Sequence, residues 1–210
     1  MIHVFHGFLG SPQDFSFLEN PQVILHDLYS ENLDTISIGP DDTLIGYSMG
    51  GRIAMELASN NHFKLKKLVI INAHPGLPIK EEISGRKVWE ESVIERLGTM
   101  SATDFLNYWN KLPLFDADGP LVELSEAKLV QSLHLFKQHR LSEQKCFLDE
   151  LQKNAHKILW ITGLEDSKYS EVAREYIVKR NIPCRFIQGG HRLYQRPQKL
   201  LELFQAEGIL

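Results

Sequence analysis

Six short apolar segments, separated by turn-forming residues, constrain the fold of this chain more than any other feature of its sequence. Each segment is apolar at consecutive positions, which is the pattern of strands buried on both faces of a parallel sheet. Apolar residues at helical spacing follow two of the segments, at 49–60 and 170–180. Strands that alternate with helices predict an open α/β sheet, mostly parallel and of about six strands. The segments are 2–5, 23–26, 43–47, 68–71, 158–162 and 184–187.

Residues 78–154 depart from this alternation. They contain amphipathic helical stretches and no convincing strand, and they separate the fourth predicted strand from the fifth. We therefore predict an α/β core formed by residues 1–77 and 155–210, with residues 78–154 inserted as a helical lid. The aromatic side chains of the lid either pack it against the core or line a pocket. They are Trp89, Phe105, Tyr108, Trp109 and Phe115.

Composition narrows the class of partner. The chain has 210 residues, of which 43% are hydrophobic, enough to bury one sizeable core in a single compact domain. Its formal net charge is -4, which supplies no general attraction for nucleic acid or for an anionic membrane. A small molecule is the expected partner. The oligomeric state stays open between a monomer and a small homo-oligomer.

Other sequence signals concern location and cofactors. The amino terminus, MIHVFHG, lacks the basic flank and the long apolar run of a signal peptide. No stretch of the chain approaches the roughly 18 to 20 apolar residues that span a bilayer. We expect a cytoplasmic protein without a signal peptide. The two cysteines, Cys146 and Cys184, cannot form a disulfide framework, and no Cys/His cluster has metal-ligand spacing. We expect neither a metal nor a cofactor.

The stretch GYSMG, residues 46–50, fits the pattern G-x-S-x-G. It follows a predicted strand and opens a predicted helix, which is the context of a nucleophile elbow. Such a turn is crowded, so side chains at Gly46 and Gly50 would collide with neighbouring elements. We predict that the turn presents the Ser48 hydroxyl at the carboxyl edge of the sheet.

A serine hydroxyl reacts only when a base accepts its proton and a third group orients that base. His191, in GGHRLY, is the candidate base, and Asp166, in GLEDSKY, is the candidate orienting acid. Each follows a predicted strand, and the chain order Ser, Asp, His is that of α/β-hydrolases. Glu165 is the alternative acid, and one of the two acids could instead only cap the next helix.

Further residues complete the predicted site. The backbone N–H groups of Met49, at the start of a helix, and of Phe8, in HGFLG, can stabilise a developing oxyanion. His6 is expected to brace the loop that contains Phe8. His74, which follows the fourth predicted strand, is expected to line the pocket.

Together these motifs resemble the α/β-hydrolase superfamily, over most of the predicted core. Within it, the chain is similar to the MenH family, the 2-succinyl-6-hydroxy-2,4-cyclohexadiene-1-carboxylate (SHCHC) synthases of menaquinone biosynthesis. That closer resemblance rests on four features: the arginine after SMGG, HPGL at 74–77, NYWNKLPLF at 107–115 and DSKY at 166–169.

The resemblance implies an elimination of pyruvate in which the triad serine is a general base and no acyl-enzyme forms. Because the substrate carries several carboxylates, it also implies cationic groups around the site. Arg52 and Arg86, with Lys87 beside it, are the candidates for these groups. Tyr47 and Trp109 match pocket residues of the family.

Some residues depart from the family pattern. Asn110 follows Trp109, at a position where the family usually has tyrosine. Residues 27–42 lack the customary loop motif of the family and are too few for a full helix. A further arginine that the family has in its lid has no evident counterpart in this chain. Two alternatives therefore remain. One is a small carboxylesterase or thioesterase with Ser48 as a nucleophile and an apolar acyl slot. The other is a binding module whose triad is idle, because a fold does not determine a function.

Overall fold

A computed structural model describes residues 1–210 and contains one sheet of six strands. The spatial order is β2-β1-β3-β4-β5-β6, and every pair of neighbours is parallel. All six predicted segments form strands, with end points within one residue of the prediction. The strands are β1 (Ile2–Phe5), β2 (Val23–His26), β3 (Thr43–Tyr47), β4 (Lys67–Ile71), β5 (Ile158–Gly163) and β6 (Cys184–Ile187).

Seven α-helices surround or extend the sheet. They are α1 (Met49–Asn60), α2 (Lys80–Thr99), α3 (Ala102–Asn110), α4 (Glu126–Gln138), α5 (Leu148–Lys153), α6 (Ser167–Val172) and α7 (Pro197–Ala206). The helical path of α6 continues through a π-helical turn, Ala173–Ile177, and a 3-10 turn, Val178–Arg180. Between β2 and β3 only a short 3-10 turn forms, Leu33–Thr35, as the length of that connection predicts.

Apolar side chains cover both faces of the sheet, which explains why the strands are apolar at consecutive positions. Along β4, Leu68 and Ile70 pack into the core cluster that includes α1. The alternate residues, Val69 and Ile71, pack into the cluster on the other face, which includes α7. All four are fully buried. Because side chains in a strand alternate between faces, a strand that is covered on both sides has no solvent-facing positions in its centre.

The helical insertion, residues 78–154, contributes α2 to α5 and no strand. Its Val93 and Phe105 belong to the same apolar cluster as Ile53 of α1, so the insertion packs directly on the core. Near the end of the insertion, residues 145–147 are not helical, and α5 begins only at Leu148. The reason is that the Phe147 N–H donates to the Pro75 carbonyl at 2.7 Å and ties this part of the chain to the end of β4. No helix is both long and apolar enough to cross a bilayer.

Candidate active site

Ser48 occupies a strained turn between β3 and α1. Its φ of 53° and ψ of -113° are unusual for a residue that is not glycine. A Cβ added at Gly50 would lie 2.3 Å from the Phe5 carbonyl oxygen, and one at Gly46 would lie 2.5 Å from the Gly50 carbonyl oxygen. Only glycine fits at these two positions, because backbone atoms occupy the space. The turn therefore presents Ser48 beyond the carboxyl end of β3.

The structure brings Ser48, His191 and Asp166 together. His191 Nε2 lies 3.1 Å from Ser48 Oγ, and His191 Nδ1 lies 2.6 Å from Asp166 Oδ2. Both His191 and Asp166 are buried. A carboxylate at Nδ1 favours the tautomer with hydrogen there, so Nε2 is free to accept the Ser48 proton. This is the geometry that general-base or nucleophilic chemistry at a serine requires.

Asp166 both contacts His191 and caps a helix. While Oδ2 contacts His191, Oδ1 accepts the Tyr169 N–H at 3.0 Å in the first turn of α6. One carboxylate therefore makes both the contact to the histidine and the helix cap, which the sequence left as alternatives. Glu165, the other candidate acid, is exposed and pairs with Gln188.

Asn72 supports the loop that carries His191, and sequence reasoning missed it. Its Nδ2 donates to the carbonyl oxygens of Gly190 at 3.1 Å and His191 at 2.7 Å, and its Oδ1 accepts the Gly163 N–H at 3.0 Å. Asn72 is fully buried with φ at 44°, a conformation that asparagine tolerates better than most residues. The available signal was a polar residue placed directly after a buried strand.

The loop after β1 carries Phe8, and His6 braces it. His6 Nδ1 lies 2.8 Å from the Gly7 carbonyl oxygen, while Nε2 accepts the Leu28 N–H at 3.1 Å. Burial lowers the pKa of His6 to about 4, so the ring is neutral at pH 7 and can make both contacts. Phe8 and Met49 both line the cavity beside Ser48. Met49 is the first residue of α1, so its N–H has no partner within the helix.

A cavity of about 310 Å³ opens beside Ser48 and His191, between the sheet edge and the helical insertion. All four residues expected to contact substrate line it, namely Tyr47, Arg52, Arg86 and Trp109. Apart from His191, the charged residues of the lining are four cations and one carboxylate. Most of the other lining residues are apolar. The cationic residues are Arg52, Arg86, Lys168 and Arg192, and the carboxylate is Asp14.

Arg52 is a buried cation without an acidic partner. It is only 9% exposed, takes part in no ion pair, and donates a single side-chain hydrogen bond, from Nη1 to Gln144 Oε1 at 3.3 Å. Burial, followed by the charge of Arg86, lowers the pKa of Arg52 to about 10. A buried guanidinium in this condition would be stabilised by an anionic ligand in the cavity.

Arg86 is held in place by its own helix. Its Nε donates to Glu90 Oε1 at 2.8 Å, and its guanidinium lies 4.2 Å from the centre of the Trp89 ring. Lys87, considered with it from the sequence, is exposed and does not line the cavity. Lys168 lines the cavity although it is exposed, and burial followed by the charge of Arg86 lowers its pKa to about 8.

The expectation that His74 lines the pocket is wrong. His74 is buried but is not part of the cavity wall, and its ring packs against Tyr176 with the centres 6.0 Å apart. Burial, followed by the charge of Lys168, lowers the pKa of His74 to about 3, so it is neutral. Its carbonyl oxygen instead accepts a hydrogen bond from Gln144 Nε2 at 3.4 Å.

No protein-family model matches the sequence. Among curated proteins, the SHCHC synthase of Serratia proteamaculans is 26% identical to this chain over 156 residues, which cover 70% of this chain and 60% of that protein. The SHCHC synthase of Escherichia coli K12 is also 26% identical, over 158 residues that cover 72% of this chain and 63% of that protein. The chain therefore spans less than two thirds of the length of these curated relatives.

Solved structures match nearly the whole chain. MenH from S. aureus superposes with a TM-score of 0.75 at 22% identity, covering 99% of this chain and 94% of that protein. A carboxylesterase structure from the thaumarchaeon Nitrososphaera gargenis gives a TM-score of 0.63 at 14% identity, covering 98% and 88%. The chain has the α/β-hydrolase fold. This confirms the fold class predicted from the motifs.

In this α/β-hydrolase fold, two of the four cavity cations lie next to the triad in sequence. Lys168 follows Asp166 by two residues, and Arg192 follows His191 directly. Sequence reasoning gave neither a role. Their proximity to predicted triad residues was the available signal, because the loops beyond the strand ends are where such folds bind ligands.

Proposed function

We propose that the protein is an SHCHC synthase-like lyase that eliminates pyruvate from a polycarboxylate substrate in menaquinone biosynthesis. The observation that carries this proposal is the buried, acid-free Arg52 in a cationic cavity beside Ser48. The similarity to proteins named SHCHC synthase and to MenH from S. aureus supports it. The proposed partner is a small-molecule carboxylate rather than nucleic acid, and the proposed location is the cytoplasm.

In the proposed reaction, Ser48, His191 and Asp166 move a proton. His191 Nε2 accepts the Ser48 proton while the Ser48 oxygen removes a proton from a substrate carbon. The electron pair of that C–H bond moves into a conjugated carbonyl system, whose oxygen lies at the N–H groups of Phe8 and Met49. When the electron pair moves back from the carbonyl oxygen into the carbon framework, the C–O bond to the enolpyruvyl group breaks. The departing enolate takes up the proton and leaves as pyruvate.

The remaining residues of the cavity bind and orient the substrate. Arg52 and Arg86 pair with its carboxylates, since a guanidinium can donate two parallel hydrogen bonds to a carboxylate. Tyr47 and Trp109 form walls that exclude water. We further propose that residues 78–154 act as a lid over a core of residues 1–77 and 155–210, because they supply Arg86 and Trp109 to the cavity.

A carboxylesterase or thioesterase remains the second candidate. The largely apolar lining of the cavity and the similarity to a carboxylesterase structure favour it. In that case Ser48 Oγ attacks the substrate carbonyl carbon, and His191 transfers the Ser48 proton to the leaving group.

The deciding experiment measures pyruvate release from the synthase substrate and, separately, hydrolysis of short p-nitrophenyl esters. We expect pyruvate, with Ser48→Ala lowering its rate about a thousandfold or more, because removal of a triad member disables proton transfer. Asp166→Asn should also lower the rate strongly. Its matched control is Glu165→Gln, an exposed neighbour that should retain nearly full activity.

Two other outcomes would each support a different function. Ester turnover without pyruvate would replace the lyase by the esterase. Absence of both activities would favour a binding module with an idle triad.

A further inference from the structure

A segment of the helical insertion docks directly on the loop that carries His191. We call it the strap, residues 113–121, which leads from α3 toward α4. Asp118 Oδ2 accepts the His191 backbone N–H at 2.9 Å, and the Phe115 ring meets the His191 ring edge-on with the centres 5.6 Å apart. A Cβ added at Gly190 would lie 2.5 Å from Asp118 Oδ1, so a larger residue there would displace this carboxylate from the position it now holds.

Arg192, directly after His191, holds the strap. Its Nη1 donates to the Gly119 carbonyl oxygen at 2.6 Å, and its guanidinium lies 4.0 Å from the centre of the Phe115 ring. The residue is only 3% exposed and takes part in no ion pair. A buried arginine normally pairs with an acid. Here carbonyl, amide and aromatic groups of the insertion take the place of the acid.

Asn110 provides the second anchor of Arg192. Its Oδ1 accepts from Arg192 Nη2 at 3.0 Å and from the Leu121 N–H at 3.0 Å, while its Nδ2 donates to the Leu121 carbonyl oxygen at 2.8 Å. The amide therefore joins the end of α3, the far end of the strap and the His191 loop. A tyrosine at this position could not reproduce this arrangement, because it lacks the separate acceptor oxygen and donor nitrogen with which the amide pairs with the Leu121 N–H and carbonyl oxygen.

We propose that the Arg192–Asn110 pair is a positioning device for His191. By holding the strap, the pair keeps Asp118 on the His191 N–H and Phe115 against the imidazole ring. Proton transfer at Ser48 then requires a docked strap, because a displacement of about 1 Å from the productive geometry can cost on the order of a hundredfold in rate. Arg192 and Asn110 act through His191 and are not catalytic residues. The inference rests on the triad proposed above.

The test compares kcat and KM for pyruvate release in Arg192→Met, Arg192→Lys, Asn110→Ala and the Arg192→Met/Asn110→Ala double variant. We expect Arg192→Met to lower kcat about 10- to 100-fold with KM within about threefold of wild type. Arg192→Lys should recover part of the loss. The double variant should lose less than the product of the two single losses, because the two changes share the Arg192–Asn110 contact and loosen the same strap. Arg185→Met, an exposed arginine on β6 paired with Glu207, is the matched control for loss of charge.

A second measurement is independent of the substrate. Amide hydrogen exchange of residues 113–121 and 188–195 should accelerate in Arg192→Met and Asn110→Ala, and stay at the wild-type rate in Arg185→Met. A large rise in KM with unchanged kcat would make Arg192 a substrate ligand and overturn the positioning role. Unchanged exchange, or kcat losses that multiply in the double variant, would also overturn it.

Failure of the proposed function can be distinguished from failure of the positioning device. If Ser48→Ala keeps its activity, or if the wild type releases no pyruvate, the proposed function fails, while hydrogen exchange still decides whether the pair holds the strap. If Ser48→Ala is inactive and the Arg192 and Asn110 variants behave as wild type, only the positioning device fails.

Discussion

At the scale of single residues, position rather than residue type distinguishes Arg52 from the other cationic side chains. The chain contains many arginines and lysines, but Arg52 is buried, lies one helical turn after Ser48 and has no carboxylate partner. Folding therefore leaves a cation that is costly to keep in the absence of a ligand. A residue that opposes stability and lines the proposed active site is best explained by binding.

We predict that Arg52→Met separates activity from stability. The activity on the carboxylate substrate should fall by about 2 to 5 kcal/mol of transition-state stabilisation, at least about thirtyfold in kcat/KM. The free energy of unfolding, from urea titration at pH 7, should rise by about 1 kcal/mol, because an unpaired buried charge is removed. A neutral ester as substrate is the control for general damage to the site. Parallel losses of stability and of activity would mean that Arg52 is structural.

At the scale of secondary structure, Glu90 joins α2 to the turn at 141–143. The carboxylate is fully buried and accepts from Arg86 Nε, from the Leu141 N–H at 2.8 Å and from Ser142 Oγ at 2.6 Å. Burial alone would raise the pKa of Glu90, but the charge of Arg86 and these hydrogen bonds outweigh it and hold the pKa below the ordinary 4.5. One carboxylate thus anchors both Arg86 and the neighbouring turn.

This depressed pKa gives a pH-dependent prediction. A carboxyl group whose pKa is lower in the folded state stabilises the fold above its unfolded pKa, and this stability disappears as the pH falls through the folded pKa. Glu90→Gln should therefore lower the free energy of unfolding by about 1 to 3 kcal/mol at pH 7. The difference from wild type should shrink below about pH 4.5.

Urea titrations at several pH values test it. The control is Glu91→Gln, the exposed neighbour, for which we expect little change at any pH. If the difference in the free energy of unfolding between Glu90→Gln and wild type stayed constant down to pH 3, the ionised form of Glu90 would not be what stabilises the fold.

At the scale of the whole molecule, the charge of the cavity opposes the charge of the protein. The formal net charge is -4, whereas the cavity has four cationic residues and one carboxylate in its charged lining apart from His191. Low-dielectric walls concentrate such a local field, which would attract the proposed anionic substrate over short distances despite the overall charge. The helical insertion and the sheet edge must come together to create it.

We predict that kcat/KM for the polycarboxylate substrate falls severalfold when NaCl is raised from about 10 to 150 mM, because the Debye length shortens to about 8 Å. Hydrolysis of a neutral ester should change little over the same range. Arg52→Met should reduce the slope of the salt dependence. An anionic substrate whose kcat/KM is insensitive to salt would show that the cavity cations do not guide binding.

The sequence by itself determined the local features: where each strand lies, that residues 78–154 contain helices and no strand, and which serine, acid and histidine follow strand ends. These follow from apolar periodicity and turn chemistry, which neighbouring residues carry. Only the tertiary structure decided that Asn72 holds the His191 loop, that His74 lies outside the cavity wall, and that Lys168 and Arg192 line it. Arg192 and Asn110 are 82 residues apart, and the Asn72 amide reaches across 119 residues to the His191 carbonyl oxygen. Contacts of that range depend on how the elements pack, because no local pattern specifies which distant group a buried polar side chain meets.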